Sequence, residues 1–254
     1  MNDLHKCLAG FDPIDLSEME SVALMNRTDT KFVFRVEHLG ELLKLIAPHY
    51  RVLEVNGVRA SRYETLYYDT GNFSMYHDHH RGRPSRYKVR HRIYVDSGLH
   101  FFEIKFKNNK GRTIKDRIRA KEVSRTINGK AELFLGEKTN FKAAHLFPRL
   151  WSNCSRITLV NRRSKERVTL DINLQFRNDE KEKNFPAIVI AEVKQEKTAP
   201  SPIISLMKSR HVREGSISKY CYGVALLYDG VKKNNFKPNL LNLQRVSAHS
   251  IPGK

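Results

Sequence analysis

The amino-acid sequence predicts an α+β protein in which antiparallel strands close into a barrel with a cationic interior and helices packed outside. Three observations point there. Stretches in which apolar and polar residues alternate recur between residues 50 and 195. On consecutive stretches the polar positions are mostly Lys and Arg. Segments with helical spacing stand before, between and after them. The chain has 254 residues, 46 basic and 27 acidic, with a formal net charge of +19. Such a balance calls for a polyanionic partner: nucleic acid, an anionic membrane surface or a phosphate compound. The total does not choose among them, so the arrangement must.

Residues 1–25 form a weakly patterned N-terminal segment with a turn at Asp12-Pro13 and a short helix over Leu16 to Leu24. Residues 26–230 are expected to make one barrel domain. Lys31 to Arg35 reads as a strand, and Leu39, Leu42, Leu43 and Ile46 then recur at helical spacing up to Pro48. Tyr50 to Val55 and Arg62 to Asp69 read as strands joined by a hairpin turn at Asn56-Gly57.

Ser85 to Val95 carries the clearest pattern: Arg86, Lys88, Arg90 and Arg92 alternate with Tyr87, Val89, His91 and Ile93. Leu99 to Lys107 repeats it, with Phe101, Glu103, Lys105 and Lys107 on one face, and Arg112 to Ile118 returns with Thr113, Lys115 and Arg117. These make a three-strand meander. Gly129 to Trp151 reads as helical. Strands resume near Arg156, with a hairpin of Ile157 to Arg163 and Glu166 to Phe176 turning at Ser164-Lys165. Arg177 to Asn184 is expected as a solvated charged loop, and Ala187 to Gln195 as a strand with Glu192 and Lys194 on one side. A helix follows Pro202, a second apolar stretch runs from Tyr220 to Tyr228, and residues 231–254 are expected to form a loosely ordered tail.

A lone alternating strand usually has one wet face. Here cations collect on the same face of neighbouring strands with few carboxylates among them, and like charges opposite each other destabilise a sheet. An anion must compensate, so the basic faces are expected to point into an enclosed site while helices cover the apolar faces. Arg donates two parallel hydrogen bonds to a phosphoryl group, and Lys supplies a compact charge. A nucleic-acid groove would interleave its cations with stacking aromatics, whereas Tyr87, Phe102 and Phe106 fall on the opposite face, so no nucleic-acid partner is expected.

Among the carboxylates on the basic face, Glu192 is the stronger ligand for a divalent cation; Glu103 and Asp171 read equally well as metal ligands or as internal ion pairs. His77, His79 and His80 are read as a surface turn, and no phosphate-loop, dinucleotide or nucleophile-elbow motif is present. Cys7, Cys154 and Cys221 are too few and too scattered for a disulfide framework, which fits a reducing, cytoplasmic setting. No run of about 18 apolar residues occurs, so no membrane span is expected.

Seven short motifs in order, Arg27-Thr-Asp-Thr-Lys31, Tyr67-Tyr-Asp-Thr70, Arg86-Tyr-Lys-Val-Arg90-His-Arg92, Glu103-Ile-Lys105, Arg167-Val-Thr-Leu-Asp171, Glu192-Val-Lys194 and Ser218-Lys219-Tyr220, resemble the VTC domain. This is the polyphosphate polymerase domain of the vacuolar transporter chaperone family, within the triphosphate tunnel superfamily. The resemblance spans about Arg27 to Tyr228. It implies an eight-stranded antiparallel tunnel that binds ATP and, with Mn2+ or Mg2+, passes the terminal phosphoryl group to inorganic polyphosphate. It implies Lys31, Arg90, Arg92, Lys105 and Lys219 as the catalytic set. Arg27, Lys88, Lys115, Arg162, Arg163, Arg167, Lys194 and Ser218 would bind substrate, with Arg162 and Arg163 as alternatives for one position. Glu192 and Glu103 would hold metal. The hydrolases of the superfamily open with Glu-x-Glu-x-Lys where this chain has Arg27-Thr-Asp29-Thr-Lys31, which favours polymerase over triphosphatase. A triphosphatase or a non-catalytic polyphosphate-binding module remain the alternatives. Coupled transport is not expected from this polypeptide alone, and a membrane partner and the oligomeric state stay open.

Overall fold

The computed structural model describes residues 2–20, 28–196 and 200–248. Its strands are β1 (Pro13–Ile14), β2 (Thr28–Arg35), β3 (Tyr50–Leu53), β4 (Ala60–Asp69), β5 (Arg86–Tyr94), β6 (Leu99–Lys107), β7 (Thr113–Ala120), β8 (Phe147–Asn161), β9 (Glu166–Arg177), β10 (Glu182–Phe185) and β11 (Ile188–Gln195). Its helices are α1 (Asn2–Ala9), α2 (Leu16–Glu20), α3 (Leu39–Ile46), α4 (Ser74–His80), α5 (Gly129–Lys138), α6 (Pro202–Ser209), α7 (Lys219–Leu227) and α8 (Lys237–Ala248). Of the short helix expected over Leu16 to Leu24, the part from residue 21 lies outside the described residues.

Eight strands pair antiparallel in the order β2-β11-β9-β8-β4-β5-β6-β7, the antiparallel sheet that the alternation predicts with the strand number that the resemblance implies. The path ends at β2 and β7, and no ladder joins these two among the described residues. A strap of residues 213–218 runs along β2 instead. Glu214 bridges Phe32, the Gly215 N–H donates to the Lys31 carbonyl at 2.9 Å, and beyond it Ser218 meets Lys88 of β5.

Helices cover the apolar faces. Phe32, Phe34, Val168, Leu170, Val189 and Ala191 are buried against Leu39, Leu42, Leu43 and Ile46 of α3 and against Ile203 and Met207 of α6. Val89, Phe102 and Ile104 are buried with Phe134 and Leu135 of α5. A third cluster lies on the other face, where Tyr67, Leu150 and Ile190 pack with Tyr220, Val224 and Leu227 of α7. α7 therefore fills part of the barrel interior itself.

Five elements differ from expectation, the first being α4, a helix with His80 buried where His77, His79 and His80 were read as a surface turn. β3 and β4 do not form a hairpin: β3 pairs with residues 159–161 of β8 and β4 with residues 147–157, so the two lie end to end along the same strand. Asn56-Gly57 still makes a tight turn, closed by mutual Val55–Val58 backbone bonds of 3.0 and 2.9 Å, but β8, with 15 residues, offers each flanking strand a better partner. β8 begins at Phe147, inside the stretch read as helical. Its Pro148, which has no N–H to give, sits where the β4 register shifts between Tyr67 and Tyr68. Within the charged loop, residues 182–185 form β10 on β9. The tail contains α8, anchored by buried Leu243. No helix among the described residues is long and apolar enough to cross a membrane.

Gly223 sets how closely α7 approaches the sheet. A Cβ there would lie 2.4 and 2.7 Å from the Leu150 methyls and 2.9 Å from a Phe176 ring carbon. Gly223→Ala gains up to about 1 kcal/mol of helix propensity but overpacks the contact, which costs about 1–3 kcal/mol. A net loss of stability is expected in urea unfolding, partly relieved when Leu150→Ala is added. An unchanged midpoint would show that α7 does not seat this tightly.

Candidate functional site

The pairing register decides which side chains share the interior. On one wall Arg92 stands opposite Thr65 and Phe101, Arg90 opposite Tyr67 and Glu103, and Glu103 opposite Arg117. Lys88, Lys105 and Lys115 lie abreast on β5, β6 and β7. On the other wall Lys31 faces Glu192, Asp29 and Arg167 flank Lys194, and Asp171 faces Arg156. All of these alternate with the buried apolar residues that meet the outer helices, so they fall on the inner face.

Each carboxylate on this face is held by cations. Glu103 is wholly buried; Arg90 reaches it with Nε at 2.7 Å and Nη2 at 2.5 Å, and Lys115 Nζ at 2.6 Å. Burial opposes its charge, but Arg90, Arg92 and Lys115 outweigh burial and hold the carboxyl well below the usual range. Asp171 receives Arg156 at 2.6 and 2.8 Å and Lys219 at 2.5 Å, with the same outcome. Glu192 lies 3.0 Å from Lys194 and 3.6 Å from Lys31, and these overcome burial to keep it ionised.

The row of three lysines is less well compensated. Lys115 has Glu103, yet burial pushes it down to about 8. Lys88 donates to Ser218 Oγ at 3.0 Å, and burial lowers it as well. Lys105 has no hydrogen bond or ion pair among the described residues; Arg90, then burial and Arg92, drive it well below the ordinary lysine value. A group so crowded by like charge gains most from an anion placed against it.

α7 enters from the far side. Ser218 caps it, its hydroxyl accepting from the Cys221 N–H at 3.2 Å, and Lys219 in its first turn reaches Asp171 and the Cys154 sulfur, the latter at 3.2 Å. Lys31 Nζ donates to the Ile217 carbonyl at 2.9 Å. The helix N-terminus thus adds partial positive charge to the cationic interior.

Of the site residues expected from sequence, Lys31, Lys88, Arg90, Arg92, Glu103, Lys105, Lys115, Arg167, Glu192, Lys194, Ser218 and Lys219 come together here; Arg27 lies outside the described residues. Arg162 and Arg163 do not join them. Both are exposed in the β8–β9 turn, where Arg162 pairs with Asp12 at 2.6 Å, because the strand ends at Asn161 before either can turn inward. The inner cation from this strand is Arg156, where the strand was expected to resume but which was not among the expected site residues. Also missed was Tyr63, whose ring lies 5.6 and 5.0 Å from the Arg92 and Arg156 guanidinium carbons; Arg117, placed on the basic face from sequence but given no site role, lies 4.4 Å over Phe101. Alternation through residues 154–158 was the available signal for Arg156. Of the histidines, His80 is buried on α4 and accepts from the Asn235 N–H at 3.3 Å, and His79 lies 3.1 Å from the Tyr87 carbonyl.

No cluster of three metal-ligating side chains exists among the described residues. Glu103, with both oxygens in ion pairs and no exposed surface, does not fit a metal-ligand role and acts as counter-ion to Arg90 and Lys115. Glu192 does fit. It retains some exposure, and Asp29, 3.2 Å from Lys194, is a second carboxylate on the same face of the adjoining strand, two residues along from the partner of Glu192. One or two carboxylates completed by substrate phosphates is an ordinary way to hold Mg2+.

Solved structures of similar shape include a protein provisionally named an adenylate cyclase from Bacillus halodurans, 12% identical, with a TM-score of 0.49, covering 81% of this chain and 100% of its own. Another of that description, from Vibrio parahaemolyticus, is 12% identical, with a TM-score of 0.47, and covers 79% and 99%. One from Hippeastrum, described as revealing a dominant triphosphatase activity, is 11% identical, with a TM-score of 0.47, covering 80% and 98%. The search of curated proteins returns no match. The VTC domain matches residues 26–228, from just before β2 through the end of α7, and so takes in every strand that builds the cationic interior: the chain belongs to the VTC domain family.

Proposed function

We propose that this chain is a polyphosphate polymerase that transfers the terminal phosphoryl group of ATP to a growing inorganic polyphosphate chain. What supports this most is the row of Lys88, Lys105 and Lys115, which concentrates positive charge against burial and leaves Lys105 without an ion pair among the described residues. In the reaction a terminal oxygen of the acceptor chain attacks the γ-phosphorus, the bond to the ADP oxygen breaks, and ADP leaves with the electron pair. The protein's share of such a transfer is positioning and charge neutralisation. Arg90 and Arg92 would grip equatorial phosphate oxygens, with Lys105 between donor and acceptor. Lys31 and Lys219 would close on the chain from the other wall, and Lys88, Lys115, Arg167, Lys194, Ser218 and Arg156 would hold its remaining length. Glu192, with Asp29, would hold Mn2+ or Mg2+, which when bound supplies further neutralisation of the phosphate oxygens. The free cysteines fit a reducing, cytoplasmic setting for this activity.

Incubation with ATP and Mn2+ is expected to yield long phosphate chains. Lys105→Met should lower kcat about 100- to 1,000-fold, the scale on which loss of one charge-stabilising group acts, and Glu192→Gln should weaken the metal dependence. Orthophosphate without chain growth would replace the polymerase with a hydrolase. Binding of polyphosphate without turnover under either metal would leave a binding module.

Affinity for tripolyphosphate should also fall as pH rises. Lys115 titrates near 8 and Lys105 below the normal lysine range in the free protein. A bound polyanion favours their protonated forms, so binding takes up protons and weakens as pH passes upward through these values. Calorimetry from pH 6.5 to 9.5 should show this decline, and Lys105→Arg, whose guanidinium stays charged, should flatten it. Equal slopes in both proteins would mean that Lys105 does not meet the phosphates.

A further inference from the structure

Beside the strap, and lined by neither Lys31 nor Lys88, lies a groove of about 650 Å3. This is within the size of ordinary small-molecule sites, roughly 300–1,000 Å3. None of the cations that line the tunnel walls lines it: β2 forms one wall, the strap a second and α8 the third. Its floor is apolar, built from Phe34, Ile217, Leu243 and Val246, of which Phe34, Ile217 and Leu243 are buried. Its rim is basic, with His38, His211, Arg213 and Arg245 around a single lining carboxylate, Glu214. Arg213 has no ion pair or hydrogen bond of its side chain among the described residues, and Arg245 spends one nitrogen on Asn242 Oδ1 of its own helix, at 2.9 Å. Apolar floor and cationic rim together match one kind of ligand: an apolar body carrying a phosphate or carboxylate head.

The strap connects this groove to the interior. Arg213, Glu214, Gly215 and Ile217 line the groove. The same few residues bond inward: Gly215 N–H to the Lys31 carbonyl, the Ile217 carbonyl to Lys31 Nζ, and the next residue, Ser218, to Lys88 and the start of α7. The chain turns into the strap at His211, whose backbone is left-handed at φ 56°, and Tyr222 fixes the middle of the strap by donating to the Ser216 carbonyl. We infer that this groove is a second ligand site, which takes an amphipathic monoanion or dianion and, when filled, holds the strap that places Ser218 and Lys219. The functional weight of that placement rests on the phosphate-tunnel reading; binding in the groove does not.

Decyl phosphate, below its micelle concentration, and AMP test the two sources of such a head, lipid and nucleotide, with decanol and inorganic phosphate as halves of the ligand. At least one of the two whole probes is expected to bind at least tenfold more tightly than decanol or phosphate. Its affinity should fall at least tenfold in Arg213→Ala/Arg245→Ala, both exposed positions, and stay unchanged in Lys105→Met. It should also slow amide exchange across residues 211–218 at least threefold. The site is overturned if neither probe binds, if the double substitution leaves affinity intact, or if Lys105→Met abolishes it, which would put the probe in the tunnel. Unchanged exchange in the strap would overturn the link to Ser218 and Lys219. None of these readings depends on polymer formation, so failure of the polymerase assay and failure of this site are separate results.

Discussion

The ion pairs of Glu103 hold together the wall of the barrel that its cations would otherwise drive apart. Arg90, Lys115 and Arg117 stand on the strands beside it, with Lys88 and Lys105 one pair further on. Like charges in such positions weaken a sheet. A wholly buried carboxylate reached by Arg90 at 2.5 Å and Lys115 at 2.6 Å turns repulsion into a network. Breaking a buried pair of this kind typically costs about 3–5 kcal/mol, because the remaining charge is left without a partner. Asp171 does the same on the opposite wall for Arg156 and Lys219. The interior is therefore only partly neutralised, and what remains is positive charge fixed in direction.

That residual charge explains why helices sit where they do. The outer faces of the strands are apolar and demand cover, which α3, α5 and α6 provide. The inner face near Tyr67, Leu150 and Ile190 is also apolar, and α7 fills it, bringing Ser218 and Lys219 to the cations as a consequence of burying Tyr220 and Val224. Packing of the core and construction of the site are thus one event at α7. The strap leading into that helix occupies the free edge of β2, so the segment that blunts the sheet edge also carries contacts to Lys31 and Lys88.

Much of this was legible in the sequence because the strand period is two. Arg86 to Arg92 and Phe101 to Lys107 can only sort their cations to one face, and neighbouring strands of like pattern must align those faces. The errors came where periodicity is silent. Leu133 and Phe134 do lie in a helix, but Phe147 fits a helix as well as a strand end, so the helical reading ran on to Trp151 and the start of β8 was placed too late. Asn56-Gly57 correctly marks a turn, yet a turn does not say which partner the flanking strands choose, and β8 was long enough to take both.

The sequence by itself determined the alternating basic faces, the expectation of a polyanionic partner and, through seven ordered motifs, the family. Tertiary structure alone decided which carboxylates are spent on the chain's own cations. Glu103 and Asp171 read equally as metal ligands or ion-pair partners until the register set Glu103 beside Arg90 and Lys115, and Asp171 beside Arg156 with Lys219 reaching it from α7. The physical reason is that ion pairing depends on distance and burial across strands far apart in the chain, neither of which a local pattern carries. The barrel's gap between β2 and β7, and the strap that runs along β2 there, were likewise invisible to a pattern that records only faces.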